Sequence, residues 1–470
     1  MSGADALLWT VGRDPVLRPT IVAIMALDRS PDFAKVRART ERLTVIVPRL
    51  RARVVTKALG RGRPTFVAES RFDLDAHLRH IVLPQPGTFR DVLDIGQIMA
   101  TSSFDEALPL WEALLVDGVG TQGASSSEGA ALILKIHHCL IDGVGGMAVL
   151  LHLLDAVRRP PRVRERAAQS KRPAAGSARA PTGLFDRIPD LEQVFETTVR
   201  RATHPFQEIE QIVATATSAA RLVAPSGKPI SPIMTERGFR RGLEVLDMPL
   251  QPFRDASKAT GGSLNDIFVS AIACGLRNYH EVHGVSIDHL RALMPVNVRS
   301  SDDAQAGNHF VPARFLVPIA RDAGDCVREV RKVTGSWKHA PGLALSDVLA
   351  NALSVLPPAV ISAMWGSMLK GDDFCITNVP GPPFETFLAG ARVDQMYAFA
   401  PASGAALNVS LVTPAERACI GITVDTAAVP DSAKLATCLG DGFDEVLLLG
   451  HAAKGSLNSH REPHGKAISG

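Results

Sequence analysis

The chain lacks the marks of several common classes. Its six cysteines, at 139, 274, 326, 375, 419 and 438, are scattered with no C-x-x-C pair. That argues against a disulfide scaffold and a cysteine zinc site, and predicts reduced thiols in a cytosolic setting. An excess of one charge is missing too: 51 basic against 48 acidic residues leave +3, which gives no global argument for nucleic acid. The opening MSGADALLWTVGRD carries acids at Asp5 and Asp14 and no basic start before an apolar stretch, so no signal peptide is expected and the protein should stay inside the cell. Neither G-x-S-x-G nor G-x-x-x-x-G-K-[ST] occurs, which removes a serine nucleophile elbow and a phosphate loop.

Uncharged runs long enough to span a membrane are nearly absent. The one window to weigh, Val348 to Leu369, is cut by Pro357-Pro358 and holds Asn351, Ser354 and Ser362. Two short buried helices are expected there. His280-Glu281-Val282-His283 is not H-E-x-x-H, and a solvated helix terminus is the expectation.

What is present describes a globular protein of more than one domain: 470 residues, 46% hydrophobic and 21% charged. The stretch that organises it runs from Gly129 to Leu154. Ala131, Leu132, Ile133, Leu134 and Ile136 form an apolar run broken only by Lys135, as in a buried strand. His137 and His138 follow, then Asp142 and Gly143, then Met147 to Leu154 at helical spacing. Neighbouring residues leaving a strand face opposite ways, so one histidine is available for chemistry and the other packs. A neutral imidazole there can take a proton near neutral pH. Gly143, Gly145 and Ala148 match a dinucleotide fingerprint, but they follow a histidine-bearing insert and no acidic strand end comes after them, so the match is a coincidence.

Along the chain, helices are expected at Asp32 to Leu43, Val92 to Ala100 and from Gly146 to about Arg158, with strands at His77 to Leu83 and Ala113 to Val116 and a turn at Pro84 to Gly87. A basic Pro/Ala-rich linker, 158–183, separates an N-terminal half, 1–157, from connecting helices at 184–223 and a C-terminal α/β half to residue 455. A flexible tail, 456–470, closes the chain. In the second half Ser263-Leu264-Asn265-Asp266 opens an amphipathic helix as an S-x-x-D cap. The linker's cations are read as a solvated crossover, with contact at an anionic membrane as the second reading.

His137-His138-Cys139-Leu140-Ile141-Asp142-Gly143 matches the HHxxxDG motif of coenzyme A-dependent acyltransferases and peptide-synthetase condensation domains. Ser2-Gly3-Ala4-Asp5, Pro109-Leu110-Trp111-Glu112, Asn265-Asp266, the Pro295 to Arg299 strand, Gly307-Asn308 and Thr377-Asn378-Val379-Pro380-Gly381-Pro382 surround it. Together they resemble the bacterial wax ester synthase/diacylglycerol acyltransferase family over nearly the whole chain.

The resemblance implies two chloramphenicol-acetyltransferase-like α/β sandwich domains with a central channel at their interface. It implies acyl-CoA as co-substrate, no resident cofactor or metal, a lipid hydroxyl as acceptor, and no nucleic acid partner. A cytoplasmic location follows, with peripheral contact at the inner membrane or a lipid droplet left open. By analogy His138 is the general base, His137 and Gly143 complete the motif, and Asp142 has an architectural role, for which we expect a pairing with Arg299. Asn265, Asp266, Asn297, Arg299, Pro109, Leu110 and Trp111 are the candidate substrate residues. For Asn265 and Asn297 a cap or strand-end hydrogen bond explains the residue equally well, and for Trp111 a core aromatic does. A condensation-type enzyme using carrier-bound thioesters and a non-catalytic lipid-binding paralogue are the alternatives. Cys139 reads as a buried filler, Thr377 stands where serine is commoner, and the segment between Pro232 and Leu243 is less family-like.

Overall fold

The computed structural model describes residues 1–56, 63–120, 129–141, 143–158, 227–297, 310–337 and 366–459. Asp142, Arg299, nearly all of the linker, the expected helices at 184–223 and most of the 348–369 window lie outside the described residues.

The first half runs α1 (Gly3–Val11), β1 (Thr20–Leu27), α2 (Phe33–Ile46), β2 (Ala52–Val55), β3 (Thr65–Ala68), β4 (Leu78–Gly87), α3 (Phe89–Thr101), β5 (Trp111–Val119), β6 (Gly129–His137) and α4 (Gly143–Leu151). The second runs β7 (Arg241–Pro249), α5 (Gln251–Thr260), α6 (Leu264–Val282), β8 (His289–Asn297), β9 (Phe310–Pro318), α7 (Ala323–Trp337), β10 (Phe374–Val379), β11 (Phe387–Leu388), β12 (Ala391–Phe399), β13 (Leu407–Val412), β14 (Arg417–Asp425) and α8 (Ser432–Ser459).

Two mixed six-stranded sheets result, in the orders β11-β12-β1-β6-β5-β4 and β7-β14-β13-β10-β8-β9. The first takes β11 and β12 from late in the chain: Val22 to Met25 of β1 lie opposite Phe399 to Met396 of β12. Division at residues 157 and 184 therefore follows chain order but not the sheets, because the second half lends two strands to the first.

The sheets meet closely. A Cβ on Gly421 of β14 would sit 2.2 Å from the carbonyl oxygen of Ala398 in β12, so only glycine lets these strands approach. Val22, Ile24, Ile133, Leu243, Phe399 and Cys419 bury against each other across that seam. Behind the second sheet α6 and α8 are in near backbone contact, since a Cβ on Gly442 would lie 2.2 Å from the nitrogen of Gly275.

Local chemistry accounts for the boundaries. Asp32 caps α2 by accepting from the N–H groups of Ala34 and Lys35, and Ser263 with Asp266 forms the full capping box of α6. The same box, Ser2 with Asp5, starts α1, a helix our reading of the sequence did not include. The expected turn at Pro84 to Gly87 is instead the end of β4; as an edge strand with a register shift between Val82 and Gly87, it tolerates both prolines. α4 stops at Leu151 rather than near Arg158 because Arg39 takes the Leu153 carbonyl and the Asp155 carboxylate, while Asp155 pairs with Phe387. The last helix passes Gly450 and reaches Ser459. Among the described residues no helix is long and apolar enough to cross a membrane.

Candidate active site

The histidine turn is built by β6 leaving the sheet. The His137 N–H donates to the Leu110 carbonyl at 3.0 Å and the His138 N–H to the Pro19 carbonyl at 2.9 Å, so the strands on either side hold the two residues apart. The Leu140 N–H then closes onto the His137 carbonyl at 2.9 Å, and Gly143 opens α4.

His137 packs. It is 5% exposed, its ring lies among Trp9 and Phe104, and its Nδ1 accepts from the Cys139 N–H at 3.2 Å. A ring that accepts at Nδ1 is neutral with its proton on Nε2. Burial, reinforced by His138 and Arg18, pushes its pKa down to about 3, which makes it a poor base at neutral pH. His138 is only half-buried. Cys139 is fully buried and burial raises its thiol pKa strongly, as expected of a filler.

Several buried groups around the turn escaped the sequence reading. Lys135, fully buried two residues before His137, donates to Glu112 Oε1 at 2.9 Å, Ser102 Oγ at 2.9 Å and the Ser103 carbonyl at 3.2 Å. Its ammonium lies 4.3 Å from the centre of the Phe104 ring, which meets His137 edge-on. Asp5 is fully buried against Arg49, whose guanidinium also reaches the Leu140 carbonyl at 3.5 Å. The S-x-x-D pattern at Ser2 was the available signal for this helix; nothing local marks Lys135.

Pro109-Leu110-Trp111 meets the histidine strand through its backbone. The Leu110 side chain is fully buried, and the Trp111 indole donates to the Leu50 carbonyl at 2.8 Å and stacks on His77 with ring centres 4.6 Å apart. Asp266 serves its cap and accepts from Thr334 Oγ1 at 2.7 Å. Asn265 differs: its Nδ2 contacts Met294 Sδ at 3.6 Å, and its buried Oδ1 has no hydrogen-bond partner among the described residues. Asn297 ends β8 opposite Phe310, and only its backbone is described. Val379 and Val412, the last residues of β10 and β13, pack in one cluster with Cys139, Leu140 and Ile141, so the turn lies where the halves meet. Gly381 allows the turn after β10 to close on Pro414, whose nitrogen would be 2.6 Å from an added Cβ.

His280 departs from the expectation of a solvated helix end. It is fully buried, donating from Nδ1 to the Leu276 carbonyl and accepting at Nε2 from Ser231 Oγ, both at 2.8 Å. Among the described residues no group of three or more His, Cys, Asp or Glu side chains is arranged to hold a metal ion. All six cysteines are buried and none is in a disulfide.

Residues 1–268 match the family model of the wax ester synthase/diacylglycerol acyltransferase catalytic domain, and residues 306–446 match the WS/DGAT C-terminal domain. A Mycobacterium tuberculosis protein named as a diacylglycerol O-acyltransferase, Rv2484c, is 31% identical over 454 residues, covering 95% of this chain and 91% of its own length. Tgs2 of the same species, named likewise, is 28% identical over 439 residues, with 88% and 91% covered. Among solved structures, the wax ester synthase/diacylglycerol acyltransferase from Marinobacter aquaeolei VT8 superposes with a TM-score of 0.59 at 19% identity, over 95% of this chain and 98% of that one. The first condensation domain of the calcium-dependent antibiotic synthetase gives 0.57 at 16% identity, over 96% and 95%. At these identities the structural likeness carries the fold: the paired α/β halves are those of the acyltransferase and condensation-domain class.

Proposed function

Because the chain belongs to the wax ester synthase/diacylglycerol acyltransferase family, it is an acyltransferase, and we propose that it moves a long-chain acyl group from acyl-CoA to a lipid hydroxyl by direct attack, with His138 as general base. Diacylglycerol, giving triacylglycerol, is the first acceptor of this reading and a fatty alcohol, giving wax ester, the second. The observation that carries the base assignment is the division of labour at the turn, with His137 locked neutral in the core and His138 half-buried beside it.

The acceptor's oxygen attacks the thioester carbon as its proton passes to His138. The tetrahedral intermediate collapses, the carbon–sulfur bond breaks, and His138 returns the proton to the leaving thiolate. No acyl-enzyme forms, and Cys139, with its thiol pKa raised by burial, takes no part. General base action supplies roughly 100- to 10,000-fold, so positioning must supply much of the rest. Asn265 is the polar residue proposed to contact substrate, because its buried carbonyl oxygen lacks, among the described residues, a donor that a substrate O–H or N–H would provide. Pro109 to Trp111 act on the reaction through the strand they hold, and Asp142 is proposed to brace the turn.

The test is thiol release from palmitoyl-CoA by purified protein, with diacylglycerol and hexadecanol supplied separately and His138→Ala in parallel. Acceptor-dependent release that disappears in the variant supports the reading and names the acceptor. Equal background in both proteins with both acceptors counts against the base assignment.

A further inference from the structure

A cavity at the outer end of the seam between the sheets is not used by the reaction described above. It is lined by Arg18, Thr20, Arg241, Phe399 and Thr423, with exposed Pro15 and Phe239 at its rim. Phe239 and Arg241 belong to the segment that departs from the family pattern. Among the described residues the hydroxyls of Thr20 and Thr423 find no hydrogen-bond partner, and both are buried, on residues only 6% and 4% exposed. Two orphaned hydroxyls facing one space require something to receive their hydrogens.

The surrounding charge says what kind of group. Lys135 is balanced by Glu112, and Arg241 by Asp425 at 3.5 Å with the Val16 carbonyl at 2.7 Å. Arg18 donates to the Thr101 carbonyl at 2.8 Å and, among the described residues, has no carboxylate partner. Arg18 is therefore the cation lining this cavity that no carboxylate balances among the described residues. The cavity opens at its rim and has a volume of about 10 Å³, room for one small particle.

We propose that this cavity is a binding site for a small inorganic anion of halide size, held between the Thr20 and Thr423 hydroxyls and beside the Arg18 guanidinium. Arg18 and Thr20 flank Pro19, whose carbonyl holds the His138 N–H, and Thr20 lies opposite His137. An occupant therefore stiffens the strand that carries the histidine turn.

The full chain is tested by thermal unfolding in sodium chloride, sodium bromide and sodium gluconate at matched ionic strength. A saturable rise in Tm with chloride and bromide but not gluconate is expected, because binding to the folded state alone stabilises it. Thr423→Val should abolish the ion-specific part, Thr423→Ser should restore it, and Arg18→Gln should weaken halide binding about tenfold. In crystals soaked with bromide the anomalous peak should lie within hydrogen-bond distance of both threonine hydroxyls. Identical responses to the three salts mean that water alone fills the cavity and overturn the proposal. So does a halide-specific rise that survives in both Thr423→Val and Arg18→Gln.

Discussion

The two halves build the same kind of sheet and bury polar groups for opposite ends. In the first, Lys135, Asp5 and His137 converge on one turn, and each holds another part of it: the ammonium covers Phe104, Phe104 meets His137, and Asp5 anchors the arginine that reaches Leu140. In the second, Asp373 accepts from the N–H groups of Ile230, Ser231 and Arg291, and Asp425 from those of Gly238 and Ala427. Those carboxylates fasten loops around a continuous core that includes Phe253, Phe268 and Phe443. Burial of polarity thus shapes the histidine turn in one half and fixes the scaffold in the other.

The contrast is broken most severely at the turn. His138→Ala should lower turnover by roughly 100- to 10,000-fold, with the melting temperature of the wild type retained. A fall in both together would mean that His138 belongs to the scaffold after all. The converse substitution lies in the second half. Gly442→Ala would put its Cβ 2.2 Å from the Gly275 nitrogen, forcing α6 and α8 apart, and should cost about 3 kcal/mol in urea denaturation, with turnover per folded molecule unchanged.

Lys135→Met should cross the divide, lowering both stability and rate. It takes from Glu112 the nearer of its two cations, leaving Arg79 at 3.4 Å, and removes the cation that holds Phe104 against His137. A Lys135→Met, Glu112→Gln double variant should recover part of the stability, since the two sites are directly coupled. Recovery of stability without recovery of rate would separate Lys135's contact with Phe104 from its ion pair.

Most of the site's skeleton was legible because it is local. The His137-His138 turn, the strand before it and the Ser263–Asp266 cap are each specified by a few consecutive residues. The capping box of α1 uses the same code at Ser2 and Asp5, but that segment was weighed as a leader and as a family element, not as a helix start. What no local pattern contains is the transfer of β11 and β12 to the first sheet, which depends on pairing between residues near 22 and near 399. His280 was misread for a related reason: its partner Ser231 is 49 residues away, so the sequence around it gave no sign of burial.

The smallest expected effect tests the comparison through pH. Burial lowers the His137 pKa from 6.5 to about 3, so on acidification the unfolded chain takes the proton first. Stability from this group is lost as pH falls from about 6.5 toward about 3. Asp372 behaves oppositely. Burial, opposed by Arg314, raises its pKa from 3.8 to about 6, so the folded chain holds the proton at higher pH. Stability from this group falls as pH rises from about 4 to about 6. Between those limits the halves counteract each other, and wild-type stability should vary little from these two groups. Asp372→Asn removes the opposing contribution and should steepen the acid loss by about 2 kcal/mol between about pH 6 and about pH 4, read from urea midpoints across that range. His137→Asn, which keeps an acceptor for the Cys139 N–H, should flatten that loss. Parallel pH profiles for Asp372→Asn and wild type would show that Asp372 ionises alike in both states, leaving the acid loss from His137 unopposed by this carboxyl.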